Sequence, residues 1–91
     1  MKKAVRFTVK GMVQGVGFRY FTQHCADRLG IYGYVMNKYN GDVEVYAIGN
    51  DDQLVDLKGY LLKGPSMSRV ETVNEEPAIM DNNIAGFSVE Y

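Results

Sequence analysis

The chain has 91 residues, a length that suits one compact domain and is too short for two. Hydrophobic residues make up 46% of it and charged residues 23%, a mixture typical of a folded globular protein and not of a disordered one. The formal net charge of −1 gives no general reason to expect a nucleic acid or an anionic membrane as a partner.

The N-terminal third predicts a strand, a glycine-rich loop and a helix. Residues 4–10 alternate between apolar and polar side chains, which is the period of a half-buried strand. Three glycines fall within residues 11–17 and predict a loop. From Phe18 the apolar period becomes that of an amphipathic helix, and Gly30 is placed to end it.

The middle of the chain predicts a hairpin and a second helix. Strands over residues 34–39 and 43–48 are joined by Asn40-Gly41, a frequent hairpin turn sequence. Residues 50–52 supply a cap and first-turn acids for a helix that Gly64-Pro65 ends. The apolar stripe of this helix consists of Leu54, Leu57 and Leu61.

The last third predicts a strand over residues 67–74, a polar loop over residues 75–84 and a short strand over residues 87–91. The element order is therefore βαββαβ with a small extra C-terminal strand. It predicts one α+β domain over residues 1–91, a two-layer ferredoxin-like sandwich. Its sheet is mainly antiparallel and both helices cover one face. Proteins with this fold have many unrelated activities, so the function has to be inferred from the residues of the functional site.

The junction between the first strand and the first helix indicates an anion site. Free backbone amides and the positive end of the helix dipole meet there, and the glycines let the backbone approach a ligand closely. Arg19 falls in the first helical turn, where a cation is unfavourable, and no acid lies within seven residues on either side. A bound phosphate would share that charge with two parallel hydrogen bonds. The candidate residues are Gln14, Gly15, Val16, Gly17, Phe18 and Arg19. A tight turn followed by an ordinary surface arginine is the alternative.

Asn37 is the second candidate, because asparagine is a poor strand former that here interrupts an apolar run. Its amide offers a donor and an acceptor, so it could hold a water molecule and a phosphate oxygen together. The alternative is a polar residue on the solvent face of the strand.

Cofactor and metal motifs are absent from the sequence. A dinucleotide-binding loop needs a third glycine where Tyr20 stands, and the Gly-Lys-Ser/Thr of a Walker A loop does not occur. His24 and Cys25 are neighbours on the predicted helix and point in different directions, so they do not form a metal site. We therefore expect no cofactor and no metal.

Two segments resemble the signatures of the acylphosphatase family. Residues 13–21 read VQGVGFRYF and closely resemble the first signature, VQGVGFRxF. Residues 33–44 read GYVMNKYNGDVE and are similar to the second, GxVxNxxDGxVE, with Asn40 where Asp is usual. A further departure is Ser66, which stands where a second proline is common. The resemblance covers almost the whole chain.

The resemblance implies a ferredoxin-like hydrolase that converts acyl phosphates to carboxylate and inorganic phosphate, and the absence of a metal-ligand cluster in the sequence predicts that it does so without a metal ion. It implies that Arg19 and the loop amides bind the phosphoryl group, and that Asn37 positions the attacking water. Inorganic phosphate and sulfate are then expected as competing anions. Two other readings stay open: a non-catalytic anion-binding module and an RNA-binding module. RNA binding is disfavoured because residues 42–48, the third strand, carry two acids and one aromatic residue.

The expected setting is a monomer in the cytoplasm without nucleic acid or membrane contact. Cys25 is the only cysteine, so no disulfide can form within the chain. Arg6 and Lys10 interrupt any apolar run after the N-terminal lysines, and no segment approaches the length that spans a bilayer.

Overall fold

The helices and strands follow the hydrophobic periodicity of the sequence. In the computed structural model, which describes residues 1–91, the elements are β1 (Lys3–Met12), α1 (Phe18–Leu29), β2 (Tyr32–Asn37), β3 (Val43–Gly49), α2 (Asp51–Lys63), β4 (Arg69–Pro77) and β5 (Phe87–Glu90). This order confirms the predicted βαββαβ pattern with its extra C-terminal strand. Neither helix is long and apolar enough to cross a membrane.

The five strands form one mixed sheet in the order β4-β1-β3-β2-β5. Strand β1 pairs antiparallel with β3 and β4, and β2 pairs antiparallel with β3. Only β5 is parallel, and it lies beside β2 at one edge. The predicted α+β ferredoxin-like sandwich with a mainly antiparallel sheet is confirmed.

The core lies between the sheet and the two helices. Alternate residues of β1 point toward the helices because successive strand side chains face opposite sides of a sheet. They are Val5, Phe7 and Val9, all buried, and they meet Phe18 of α1 and Leu57 of α2. Each large apolar side chain buried in this way contributes about 1.5–3 kcal/mol.

A crossing segment, residues 78–86, covers part of the opposite face of the sheet. The predicted polar loop at residues 75–84 is therefore wrong in part, since β4 continues to Pro77 and the segment beyond it packs apolar side chains on the sheet. Strands β4 and β5 lie at opposite edges, so their connection has to cross the sheet. The Tyr46 hydroxyl fixes it by donating to the Ile79 carbonyl at 2.6 Å and accepting from the Asp81 amide at 2.8 Å. The packed residues are Ala78, Met80 and Ile84.

Strand β1 is longer than predicted. The loop was expected from residue 11, yet Gly11 and Met12 pair with β4 after a register shift between Lys10 and Gly11. A Cβ atom on Gly11 would lie 2.2 Å from the Arg69 carbonyl oxygen. This glycine therefore permits a close strand contact and does not belong to the loop.

The β2–β3 hairpin forms, although its turn differs from the expected two-residue type. The connection spans residues 38–42, and the Lys38 amide donates to the Asp42 carbonyl at 2.9 Å. A type I′ turn needs positive φ at both central residues, but of Asn40 and Gly41 only Gly41 has one. Because the turn is longer, β2 ends earlier than predicted and Asn37 is its last residue.

Candidate active site

The loop between β1 and α1 leaves its backbone amides unused by the fold. Gly15 and Gly17 have φ of 75° and 79°, the left-handed region that favours glycine. Gly17 caps α1 without any side-chain hydrogen bond, and the first helical turn holds no acid. None of the amides of residues 14–19 donates to a backbone carbonyl. The first turn of α1 thus presents free donors at the positive end of its dipole.

A small cavity of about 90 Å³ adjoins these amides. Its walls are Val13, Gly15, Gly17, Phe18, Arg19, Tyr20 and Asn37. Of the residues singled out in the sequence, Gly15, Gly17, Phe18, Arg19 and Asn37 are therefore brought together, although Asn37 comes from a different strand. Gln14 and Val16 are not among the lining residues.

The side chains of Gln14 and Val16 have other contacts. The Gln14 amide group donates to the carbonyls of Lys38 at 2.7 Å and Asp42 at 2.9 Å, which ties the loop to the β2–β3 turn. Val16 packs against the core. The Gln14 side chain therefore fixes the loop beside the end of β2.

The Arg19 guanidinium makes no ion pair with any carboxylate of the chain. Its Nη1 donates to the Glu90 carbonyl at 3.2 Å, and its Cζ lies 4.6 Å from the centre of the Tyr91 ring. A guanidinium has five N–H donors, so one bond to Glu90 leaves most of them free. The end of β5 thus holds Arg19 in position without neutralising it.

Asn37 places a buried, unpartnered oxygen beside the cavity. Its Oδ1 is buried and accepts no hydrogen bond. Leaving a buried acceptor unpaired costs about 1–3 kcal/mol, so such groups call for an explanation. An Oδ1 that lacks a partner within the chain keeps its capacity to accept a hydrogen bond.

Sequence reasoning missed the contribution of the C-terminal strand. Glu90 and Tyr91 contact Arg19, and the hydroxyl of Tyr20, a lining residue of the cavity, is hydrogen-bonded to the Tyr91 hydroxyl at 2.5 Å. That bond raises the pKa of the Tyr91 phenol above its usual 10.0, against a smaller opposing effect of the Arg19 charge. Gln23 adds a bond of 3.1 Å to the Phe87 carbonyl. No local motif predicts these contacts, because they join residues more than 60 positions apart.

Other chemical groups lie apart from the cavity. No three His, Cys, Asp or Glu side chains are close enough together to hold a metal ion. Cys25 is 7% exposed and packs in the core. Burial raises the pKa of its thiol, an effect that the Arg28 charge opposes. A protonated, buried thiol is a poor nucleophile.

The third strand is unsuited to stacking RNA bases. Its one aromatic residue, Tyr46, is 3% exposed, stacks on Tyr34, and has its hydroxyl occupied by the crossing segment. The acid Glu44 on the same face is paired with Arg6 and Lys38. An RNA-binding sheet of this topology needs exposed aromatic side chains there, and this one has none.

Comparison with known proteins agrees with the signatures. The acylphosphatase family model matches residues 5–89. The acylphosphatase of Koribacter versatilis is 47% identical over 93% of this chain and 77% of its own length, and that of Pasteurella multocida is 45% identical over 94% and 96%. The crystal structure of the Bacillus subtilis acylphosphatase superposes with a TM-score of 0.92 at 34% identity, covering 100% of both chains. The chain therefore belongs to the acylphosphatase family and is an enzyme that hydrolyses acyl phosphates.

Proposed function

We propose that Arg19 and the backbone amides of residues 14–19 bind the phosphoryl group of the acyl phosphate, and that Asn37 holds the attacking water. One observation carries the proposal. Arg19, whose guanidinium forms no ion pair, and Asn37, whose Oδ1 has no hydrogen-bond partner, line the same small cavity, next to amides that the fold does not use. Each group has a free bonding capacity that a phosphate or a water would fill.

Charge stabilisation is the main task of such a site. Phosphoryl transfer spreads negative charge over three equatorial oxygens and asks mostly for positioning and electrostatic stabilisation. The loop amides, the dipole of α1 and the Arg19 guanidinium all direct positive charge at one place. The contacts of Arg19 with Glu90 and Tyr91 reduce its freedom before substrate arrives, so less ordering is needed in the transition state.

Asn37 is suited to place the water for attack. Its Oδ1 accepts a hydrogen bond from the water, while its Nδ2 can donate to a phosphoryl oxygen. Asn37 is the last residue of β2 and pairs with Val43, so its side chain projects from a fixed backbone. Holding the water and the phosphoryl group on one amide fixes the attack geometry.

The leaving group needs no further help. It departs as a carboxylate, whose conjugate acid has a pKa of about 4–5 by analogy with Asp and Glu side chains. A general acid is therefore not required. The only cysteine is buried, so we propose direct attack by water without a covalent intermediate and without a metal ion.

The proposal extends to the setting of the enzyme. Residues 1–91 act as one catalytic unit, monomeric and cytoplasmic, on a small acyl phosphate. Inorganic phosphate and sulfate compete for the same cavity because they share the tetrahedral oxygens of the substrate. Neither a nucleic acid nor a membrane takes part.

Arg19→Lys tests the role of the guanidinium, because lysine keeps the charge but loses the planar fork. We expect kcat/KM for benzoyl phosphate to fall by about 10²-fold or more, as when one preorganised donor is removed from an active site. The inhibition constant of phosphate should rise as well. The matched control is Arg28→Lys, an exposed arginine on the same helix, which should leave both values unchanged.

Steady-state assays with a chelator present measure these values. A near-normal kcat/KM in Arg19→Lys would mean that Arg19 is an ordinary surface residue. A parent enzyme that loses its activity in the chelator and regains it with Mg²⁺ or Zn²⁺ would contradict the metal-free mechanism.

A further inference from the structure

The cavity is large enough for a phosphoryl group and for little else. Its volume is about 90 Å³, whereas pockets that enclose whole organic ligands measure about 300–1,000 Å³. With the phosphoryl group inside, the acyl part of the substrate must lie outside, against the rim. The rim therefore decides which acyl groups are accepted.

Tyr20 is the only lining residue that offers exposed apolar surface. Val13 and Phe18 are each 1% exposed, and Gly15 and Gly17 have no side chain. The two polar lining residues, Arg19 and Asn37, have the roles proposed above. Tyr20 is 58% exposed, so a ligand can reach its ring.

The Tyr20 ring is held before any ligand binds. Its hydroxyl is bonded to that of Tyr91, whose ring in turn lies over the Arg19 guanidinium. A ring fixed in this way loses little rotamer freedom when a second ring packs against it. It also stands at a fixed place relative to the group that we propose for phosphate binding.

In-line attack directs the acyl group away from Asn37. The attacking and leaving oxygens of a phosphoryl transfer lie roughly in line across the phosphorus. If Asn37 holds the water, the acyl oxygen leaves on the far side. A larger neighbouring groove of about 550 Å³ is lined by Asn37, Tyr39 and Tyr91 but not by Tyr20.

We propose that Tyr20 determines specificity for the acyl group and that its ring favours aromatic acyl phosphates over small aliphatic ones. This inference rests on the proposed function, because it takes the phosphoryl group to occupy the cavity. A planar aromatic acyl group can pack on the ring in the offset or edge-to-face arrangements that aromatic pairs prefer. An acetyl group offers no such face.

Substitution of the ring tests the inference with benzoyl phosphate and acetyl phosphate as the two substrates. We expect Tyr20→Leu to lower the ratio of their kcat/KM values by about two- to tenfold, the factor that an aromatic contact supplies. Tyr20→Phe keeps the ring and should retain the parent ratio. The control is Tyr39→Leu, a fully exposed tyrosine of the neighbouring groove, which should also retain it.

The substrate ratio separates this inference from the proposed function. Damage to the position of Arg19 through lost contact with Tyr91 slows both substrates in parallel and leaves the ratio unchanged. An unchanged ratio in Tyr20→Leu overturns the inference, whatever happens to the individual rates. The inference is also overturned if the ratio falls equally in Tyr20→Phe, or if the ratio falls in Tyr39→Leu alone. Failure of the proposed function appears instead in the Arg19→Lys assay, which uses one substrate.

Discussion

The two strand-to-helix junctions of this protein begin their helices in opposite ways. Before α2, the Asn50 side chain accepts from the Gln53 amide at 2.8 Å, and the Gln53 side chain accepts from the Asn50 amide at 2.8 Å. The acids Asp51 and Asp52 stand in the first turn. Before α1 there is a glycine cap with no side-chain bond, no acid, and Arg19 in the first turn.

The difference shows what each junction is arranged to do. The junction before α2, which we call the closed junction, bonds the amides of Asn50 and Gln53 and balances the helix dipole with acids of the chain. The junction before α1, the open junction, leaves its amides free and adds a cation to the same end. An anion bound at the open junction would supply the cap and the negative charge that α2 has in its own sequence.

Two asparagines sharpen the comparison, one in the cavity beside the open junction and one at the closed junction. Asn37→Ala, which changes the residue that β2 contributes to the cavity, should lower kcat by about 10²–10³, because one preorganised group of the active site is lost. KM should change much less. Stability should not fall, since the substitution removes a buried oxygen that has no partner. Kinetics and urea unfolding measure the two effects, and a near-normal kcat would contradict the role of Asn37.

Asn50→Ala at the closed junction should give the reverse result. Removal of an N-cap costs about 0.5–2 kcal/mol of unfolding free energy, while kcat/KM should stay at the parent value. Urea unfolding measures the loss, with substitution of Asn82, an exposed residue of the crossing segment, by alanine as a control that changes neither property. Equal stability of Asn50→Ala and its parent would mean that the capping box does not stabilise α2.

The smallest effect concerns the acid at the start of α2. Lys3 Nζ lies 2.8 Å from Asp51 Oδ1, and this bond and charge lower the pKa of the Asp51 carboxyl below 3.8. A carboxyl whose pKa is lowered by folding stabilises the protein above its ordinary pKa. It loses that contribution as the pH falls through the lower folded value.

The melting temperature of Asp51→Asn should therefore lie slightly below that of the parent at pH 7. The difference should be small because both groups are well exposed. Far below pH 3.8 the two proteins should melt together. A difference that persists in acid would show that charge is not the cause.

Most of the fold could be predicted because its signals are local. The change from a two-residue to a helical period at Phe18, the glycine after α1 and the acids in the first turn of α2 each depend on a few neighbouring residues. The crossing segment could not be predicted, since its packing follows from β4 and β5 lying at opposite edges of the sheet. Sheet order is a long-range property that composition does not reveal.

The candidate site divides in the same way. The loop amides and Arg19 follow from glycine spacing and helix polarity. Asn37 is indicated by its place in an apolar strand run, and the signatures supplied its expected role. The contacts of Arg19 with Glu90 and Tyr91 could not be predicted, because they join distant parts of the chain through the folded sheet. Arg19 and Glu90 are 71 positions apart. Nothing next to Arg19 in the sequence indicates what keeps its guanidinium in place.

Thermal unfolding in phosphate tests the central claim, that the open junction of α1 binds the phosphoryl group through Arg19. Phosphate should stabilise the parent by about 2.7 kcal/mol at a hundred times its Kd, compared with chloride at equal ionic strength. Phosphate should stabilise Asn50→Ala by the same amount, although this variant is less stable than the parent in chloride. Arg19→Ala should gain much less from phosphate than the parent does. Its stability in chloride is only the starting point, because the loss of the contacts with Glu90 and Tyr91 opposes the removal of a cation from a helix N-terminus. If phosphate raises the melting temperatures of the parent and Arg19→Ala equally, Arg19 does not bind the anion and the account is wrong.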